Sequence, residues 1–596
     1  MTLKSSNLSI GYRGRAGLTQ VVLDVGLQLT PGRIVGLAGE SGSGKSTLAL
    51  SMLGYRATGQ EILSGTVQLD GQELTRASIR ELRRLWGSRL AYLPQDTATS
   101  LNPAMTIRRH FVETLRRHEQ LSVRAAEAKA VQWLGRVDIP DPQQALARYP
   151  HQFSGGQQQR IALAMALATG PEALILDEPT TGLDVVTQAH INRLIVALAR
   201  ESGVAALYVS HNLALLATVC DELAIMYAGQ IVERGPAAQV YQKPRHPYTA
   251  ALIAAVPTIE ADDPPRGIPG MPRPSVPVHV CGFAERCPYR IDDCASDIPL
   301  VEVGDGREAR CIVLPAIQPA TATTGARVAE PVDPQPILTV DRLRCTFARG
   351  AGSEFAAVDG VSVRVLAGKA LGIAGQSGSG KSTLLRAVAG LVAPAGGEIT
   401  FRGSRLAARS GDRPLAIRRA IQIVFQNPDA TLNPRHTIYQ SMERPLRRPD
   451  IARSQRREAV AEMMRQMRLS PDLMDRYPRN LSGGQRQRVA IGRALLAEPE
   501  VLLCDEVTSA LDVSVQASIL ELLVGLRAER SLALVFVTHD LGVLRSIADE
   551  AVILQDGRVR EEGPTVRVLR EPEDAYTVEL LRAVPDPRHA AEFLGA

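Results

Sequence analysis

Short unbroken apolar runs alternate along the chain with stretches whose apolar positions recur every three or four residues. In the first half RIVGLAG, ALILD and ALYVS are of the first kind, and STLALSMLGY and QAHINRLIVALARES are of the second. Runs that short and that apolar predict strands buried on both faces, and the intervening period predicts helices that cover them. The expected unit is therefore α/β, with βα repeats around a mainly parallel sheet. From Ile107 to Leu146 the text becomes Arg-rich, keeps a helical period and loses its strand signals. That predicts a separate helical lobe.

The whole pattern is written twice. GLAGESGSGKSTL recurs as GIAGQSGSGKSTL, FSGGQQQRIALAMAL as LSGGQRQRVAIGRAL, and ALILDEPTTGLD as VLLCDEVTSALD. From Ser154/Ser482 through Asp177/Asp505 and His211/His539 the spacing is constant, and even the tail YTAALIAAVP at Tyr248 returns as YTVELLRAVP at Tyr576. Each half is thus a full copy, which divides the chain into residues 1–256, a connector 257–335, and residues 336–596. The connector is rich in Pro and Ala (DDPPRGIPGMPRPSVPV, PAIQPATATTGARVAEPVDPQP), a composition that favours extended linker over packed helix.

Composition adds limits rather than direction. With 68 basic against 63 acidic residues the net charge is +5 over 596 residues, too little to demand a nucleic-acid partner. No apolar run approaches the ~18 residues that span a bilayer, and the start MTLKSSNLSIGYRG lacks a secretory apolar core. A cytosolic chain with reduced thiols is expected.

Chemistry enters at the Gly-rich turns. Gly39-Glu40-Ser41-Gly42-Ser43-Gly44-Lys45-Ser46-Thr47 and Gly375-Gln376-Ser377-Gly378-Ser379-Gly380-Lys381-Ser382-Thr383 match G-x-x-x-x-G-K-[ST], each between a strand pattern and a helix pattern. Such a P-loop turns backbone N–H groups inward around phosphate, sets the next helix N-terminus behind them, and sends Lys45 or Lys381 to the terminal phosphates. Ser46 and Ser382 are placed to hold Mg²⁺. The strands ALILDE and VLLCDE then deliver Asp177 and Asp505 to the magnesium shell, and Glu178 and Glu506 to polarise an attacking water. His211 and His539 follow strands and are assigned a γ-phosphate contact. Gln95 and Gln426 end strands before the helical lobe, where they can sense magnesium and water. Tyr12 and Phe347, upstream of each loop, either stack on adenine or pack in the core.

P-loop, SGGQ and LDE in this order resemble the nucleotide-binding domains of ABC ATPases over nearly all of both halves. The resemblance implies an antiparallel β-lobe beside each sheet and a head-to-tail sandwich. Ser482, Gly483, Gly484 and Gln485 of one half would close over ATP held by Lys45, Gln95, Glu178 and His211. Ser154, Gly155, Gly156 and Gln157 would do the same for Lys381, Gln426, Glu506 and His539. Phe153 and Val507 depart from the family pattern without removing a catalytic group, so both sites are expected to hydrolyse ATP. DTATSLNP, NPDATLNP and HPYTAAL further resemble the oligopeptide, dipeptide and nickel importer ATPases. That implies two transmembrane permease subunits, an external solute-binding protein, peptide cargo and a peripheral seat on the cytoplasmic face of the cell membrane, without nucleic acid.

Four of the seven cysteines, Cys281, Cys287, Cys294 and Cys311, crowd into the connector. Four thiolates suit tetrahedral zinc or an iron–sulfur cluster. Structural zinc usually has a short C-x-x-C hook, absent here, and the family resemblance of Arg286-Cys287-Pro288 implies a 4Fe-4S cluster, with Zn²⁺ the alternative. The rival functional class is a soluble tandem ABC ATPase acting on ribosomes or DNA. Its translation factors join their domains by long charged helices, unlike this Pro-rich connector.

Overall fold

In the computed structural model of the chain, residues 2–14, 17–260, 264–270, 280–313, 335–349, 353–509 and 511–595 are described. The first half is built on a sheet in the order Val301–Glu302, Glu308–Ala309, Gln230–Pro236, Glu222–Tyr227, Ile34–Ala38, Ala205–Val209, Ala173–Asp177, Leu90–Leu93. Its last five strands are mutually parallel. The second half repeats them as Ile421–Val424, Val501–Asp505, Ala533–Val537, Ala370–Ala374 and Glu550–Gln555, with Arg558–Pro564 as an antiparallel edge.

Ile34–Ala38, Ala173–Asp177 and Ala205–Val209 are buried at every position, as parallel strands covered on both faces must be. Alternate residues serve different cores. Leu174, Leu176, Ala206 and Tyr208 join the helices and the helical lobe, whereas Ala173, Ile175, Leu207 and Val209 pack toward a second core that includes Leu8, Val22 and Leu48. That second core is roofed by an antiparallel sheet containing Leu3–Gly14, Gly17–Leu29 and Gln60–Leu69. The equivalent sheet of the second half contains Pro336–Arg349, Ser353–Leu366 and Gly396–Phe401. The helical lobe of the first half comprises Ile107–Glu119, Val123–Arg136 and Pro142–Ala145.

The connector differs from the expected extended linker where it is described. Its hairpin, Val301–Glu302 with Glu308–Ala309, adds two strands to the edge strand Gln230–Pro236. Phe283 is fully buried in the first half's core between Tyr227 and Tyr248. Proline bars a long helix here, but it does not prevent very short strands at a sheet edge from capping that edge. Residues 271–279 and 314–334, which hold much of the Pro- and Ala-rich text, lie outside the described residues.

Candidate active site

Each P-loop follows the C-terminal end of its central strand, where an open α/β sheet binds ligands. The Lys45 ammonium sits inside the loop, donating to the Gly39 and Glu40 carbonyls at 2.8 and 3.0 Å. Lys381 donates to the Gly375 and Gln376 carbonyls, both at 2.7 Å. Burial pushes both ammonium groups below their ordinary value, against the raising pull of nearby carboxylates. The loop amides do not all point inward. The Glu40 and Gln376 N–H groups donate to the hydroxyls of Tyr248 and Tyr576, each at 2.9 Å, so the repeated tail tyrosine braces each P-loop from behind.

Next to each lysine, the Ser46 hydroxyl donates to Asp177 at 3.2 Å and the Ser382 hydroxyl to Asp505 at 2.7 Å. These are the two oxygens the sequence assigns to the magnesium shell, brought together in both halves. Burial raises both aspartate carboxyls above their ordinary value, and a divalent cation would hold them ionised.

The proposed hydrolytic groups also converge. Gln95 Nε2 donates to Glu178 at 3.1 Å, and His211 Nδ1 lies 3.3 Å from the same carboxylate. Gln426 and His539 stand 3.0 and 3.5 Å from Glu506. Glu178 and Glu506 adopt left-handed backbone at φ 48° and 46°, a strained conformation that such a site can maintain only through its surroundings. Burial pushes the Glu178 carboxyl up, but the hydrogen bond and charge of His211, with Thr181 and Lys45, outweigh it and leave the carboxyl below the usual range. His539 and Lys381 do the same for Glu506. Replacing His211 with Ala removes the largest lowering contact and leaves burial in place. The acid limb of the first site's kcat–pH profile should therefore move to higher pH, whereas loss of a purely structural contact would lower the rate without moving the limb.

The halves meet head to tail. The Ser41 hydroxyl donates to Asp512 of the opposite half at 2.8 Å, and Leu511 and Asp512 line the cavity of the first P-loop with Lys45, Gln95, Glu178 and His211. The charge of Asp184 in turn reaches Lys381 and Tyr576. Ser154, Gly155, Ser482 and Gly483 are exposed, and the signature residues do not line that cavity. Their local form is nonetheless clear. Ser154 caps helix Gly155–Ala168 and Ser482 caps Gly483–Leu495, each accepting from the amide three residues on, while Gln157 and Gln485 reach back to the serine amide. SGGQ is thus a capping box that leaves the glycine amides at a helix N-terminus, a ready phosphate site. The glutamine carbonyls expected near nucleotide are engaged in the cap.

Tyr12 is half-buried with its hydroxyl 3.4 Å from Thr47, and Phe347 is 45% exposed. Tyr12 thus lies against the first P-loop helix, and Phe347 is the more open of the two rings. Phe153 packs under Arg148, whose guanidinium lies 4.1 Å from its ring, and Val507 is buried. Both departures are core residues.

Cys281, Cys287, Cys294 and Cys311 line one pocket together with His246. Burial raises the Cys281 and Cys287 thiols and pushes Cys311 up to about 11, and it holds His246 neutral down to about 3. Among the described residues no group of three or more His, Cys, Asp or Glu is arranged to hold a metal ion. Also among them, no helix is long and apolar enough to cross a membrane.

Two P-loops, each with a serine–aspartate pair and a glutamate–histidine–glutamine trio, define a tandem P-loop NTPase. Known proteins make the class narrower. An ABC transporter family model matches residues 22–181 and 358–509, and a model for the oligopeptide/dipeptide transporter C-terminal region matches 232–294. The oligopeptide transport ATP-binding protein OppD of Mycobacterium bovis is 35% identical, with 98% of each chain covered. The glutathione import ATP-binding protein GsiA of Salmonella choleraesuis is 36% identical over 98% of this chain and 90% of its own. A solved dimeric bacterial ABC transporter cassette is 32% identical, covering 38% of this chain and 98% of its own at TM-score 0.35. The chain belongs to the ABC transporter ATPase family.

Proposed function

We propose that the chain is the ATP-hydrolysing subunit of a peptide importer of the oligopeptide and dipeptide type, seated on two membrane permeases that an external solute-binding protein supplies. The observation that carries this reading is the near end-to-end similarity to oligopeptide and glutathione import subunits, which takes in both ATP sites and the tail region between them. In the cycle, the backbone amides and the lysine of one half hold the triphosphate. The opposite signature helix closes on it, Glu178 or Glu506 takes a proton from the attacking water, and phosphate release lets the halves part. The chain reconstituted with its permeases and receptor in liposomes should accumulate peptide only with hydrolysable ATP. Uptake that persists without ATP, or tight salt-sensitive binding to ribosomes or DNA in place of permeases, would overturn the reading.

The same reading gives the cysteine segment a four-thiolate centre, iron–sulfur in preference to zinc. Four thiolates would suit a tetrahedral zinc or the irons of a cluster. The four thiols on one pocket supply that donor set, and the likeness of Arg286-Cys287-Pro288 to the cysteine motif of the importer subfamily favours the cluster. Cys281, Cys287, Cys294 and Cys311 would hold the group, which would staple the segment to the first half. Iron and acid-labile sulfide in the purified protein, with visible absorption lost in Cys287→Ser, are expected. Colourless protein with stoichiometric zinc refutes the cluster.

A further inference from the structure

The two P-loops differ at one chemically important position, where Glu40 of the first stands opposite Gln376 of the second. A carboxylate inside an anion-binding loop opposes the ligand unless its charge is met. Glu40 is buried, and its charge is met from outside the ATPase repeat. Arg286, the residue before Cys287, reaches it at 2.7 and 3.3 Å through two different guanidinium nitrogens. The side chains of the pair are only 7% and 6% exposed. The remaining Arg286 donors go to the Tyr227 hydroxyl at 3.1 Å and to the Ile268 and Pro269 carbonyls at 3.2 and 2.8 Å. All five N–H groups are therefore engaged, so the guanidinium is held in one orientation.

The opposite half closes the arrangement. The Ser514 hydroxyl, on helix Val513–Arg530 of the second half, donates to the same Glu40 carboxylate. Connector residue Gly267, beside the Ile268 carbonyl that Arg286 engages, packs so closely on Ser518 of that helix that an added Cβ would lie 2.1 Å from its Oγ. Cysteine segment, first P-loop and second half thus meet at one buried charge pair. The second loop carries the neutral Gln376 at the position of Glu40, so it presents no buried charge for such an arginine to meet.

We propose that Arg286 is a positioning residue for the first nucleotide site. By neutralising Glu40 it keeps the first P-loop receptive to a triphosphate, and it places that site alone under the control of the cysteine segment. This rests on ATP binding and not on the peptide-import reading. The test measures a fluorescent ATP analogue on the full chain, with Lys381→Ala reporting the first site and Lys45→Ala the second. Arg286→Ala should weaken the first site about 100-fold or more, since an unpaired buried carboxylate is left beside Lys45, whose ammonium it acts on, and leave the second within about twofold. Adding Glu40→Gln, the residue the second loop already carries, should restore first-site affinity. Equal loss at both sites, or no rescue by Glu40→Gln, would assign Arg286 to general stapling of the connector and overturn the proposal. Unaltered first-site affinity in Arg286→Ala would overturn it as well. A poorly folded Arg286→Ala that becomes soluble and binds ATP with Glu40→Gln present would support it.

Discussion

The chain carrying both Glu178→Gln and Glu506→Gln should bind ATP as the parent does and hydrolyse it about 10²- to 10⁴-fold more slowly, the range a positioned general base supplies. The substitution keeps size and hydrogen-bonding reach but removes the group that can accept a proton from water. Gln95 and His211, both within 3.3 Å of the Glu178 carboxylate, can orient a water without deprotonating it, so they do not compensate. Because each trio is complete within its own half, each single variant should retain a substantial fraction of turnover. Phosphate release under steady-state and single-turnover conditions distinguishes the cases. A double variant within tenfold of the parent would mean that the base lies elsewhere, and a single variant as slow as the double would mean that the two sites fire only together. With hydrolysis blocked, ATP should also draw Ser482 and Ser154, exposed here, into protection from solvent-accessible labelling.

Much of this was legible in the sequence because the repeat reports the same chemistry twice. Fully buried strands such as ALILD and the one-residue step from Asp177 to Glu178 set one carboxylate beside Ser46 and the next beside Gln95 and His211, and local order carries that information. What escaped is what depends on packing between segments far apart in the chain. Tyr248 and Tyr576 were visible as a repeated tail, but their hydrogen bonds to the P-loop amides span 208 and 200 residues. Asp512 and Ser514 act across the interface on Ser41 and Glu40, and no periodicity announces that. Arg286 left one faint signal: an extra acid in one P-loop, Glu40 against Gln376, and an arginine beside Cys287 in the connector. The fold of the connector escaped for a related reason. Its proline content describes what the backbone avoids, whereas Phe283 and the hairpin at Val301–Glu302 are held by partners in another part of the chain.

Alanine at Gly39 should weaken ATP binding at the first site roughly 100-fold or more, while alanine three residues on, at Gly42, should weaken it only about a few-fold. Both glycines have positive φ, 152° and 80°, so both substitutions carry backbone strain of about 1–3 kcal/mol. Their surroundings separate them. A Cβ on Gly39 would lie 2.1 Å from the Met226 carbonyl oxygen and 2.9 Å from Ser43 Oγ, whereas one on Gly42 meets nothing within 4 Å. The first contact is with backbone of a core strand, so the P-loop itself must move, and with it the Gly39 carbonyl that receives the Lys45 ammonium. Losing that placement should cost roughly 100-fold or more in affinity, the equivalent of about 2.8 kcal/mol. The second site repeats the geometry, with a Cβ on Gly375 falling 2.1 Å from the Leu554 carbonyl oxygen and one on Gly378 meeting nothing within 4 Å, so the same pair of substitutions there should give the same contrast. Titrating a fluorescent ATP analogue into each variant, with the other site silenced at its lysine, measures the difference directly. Equal affinities for the Gly39 and Gly42 variants would mean that the loop is not braced by the strand behind it, and that its shape is imposed by the nucleotide instead.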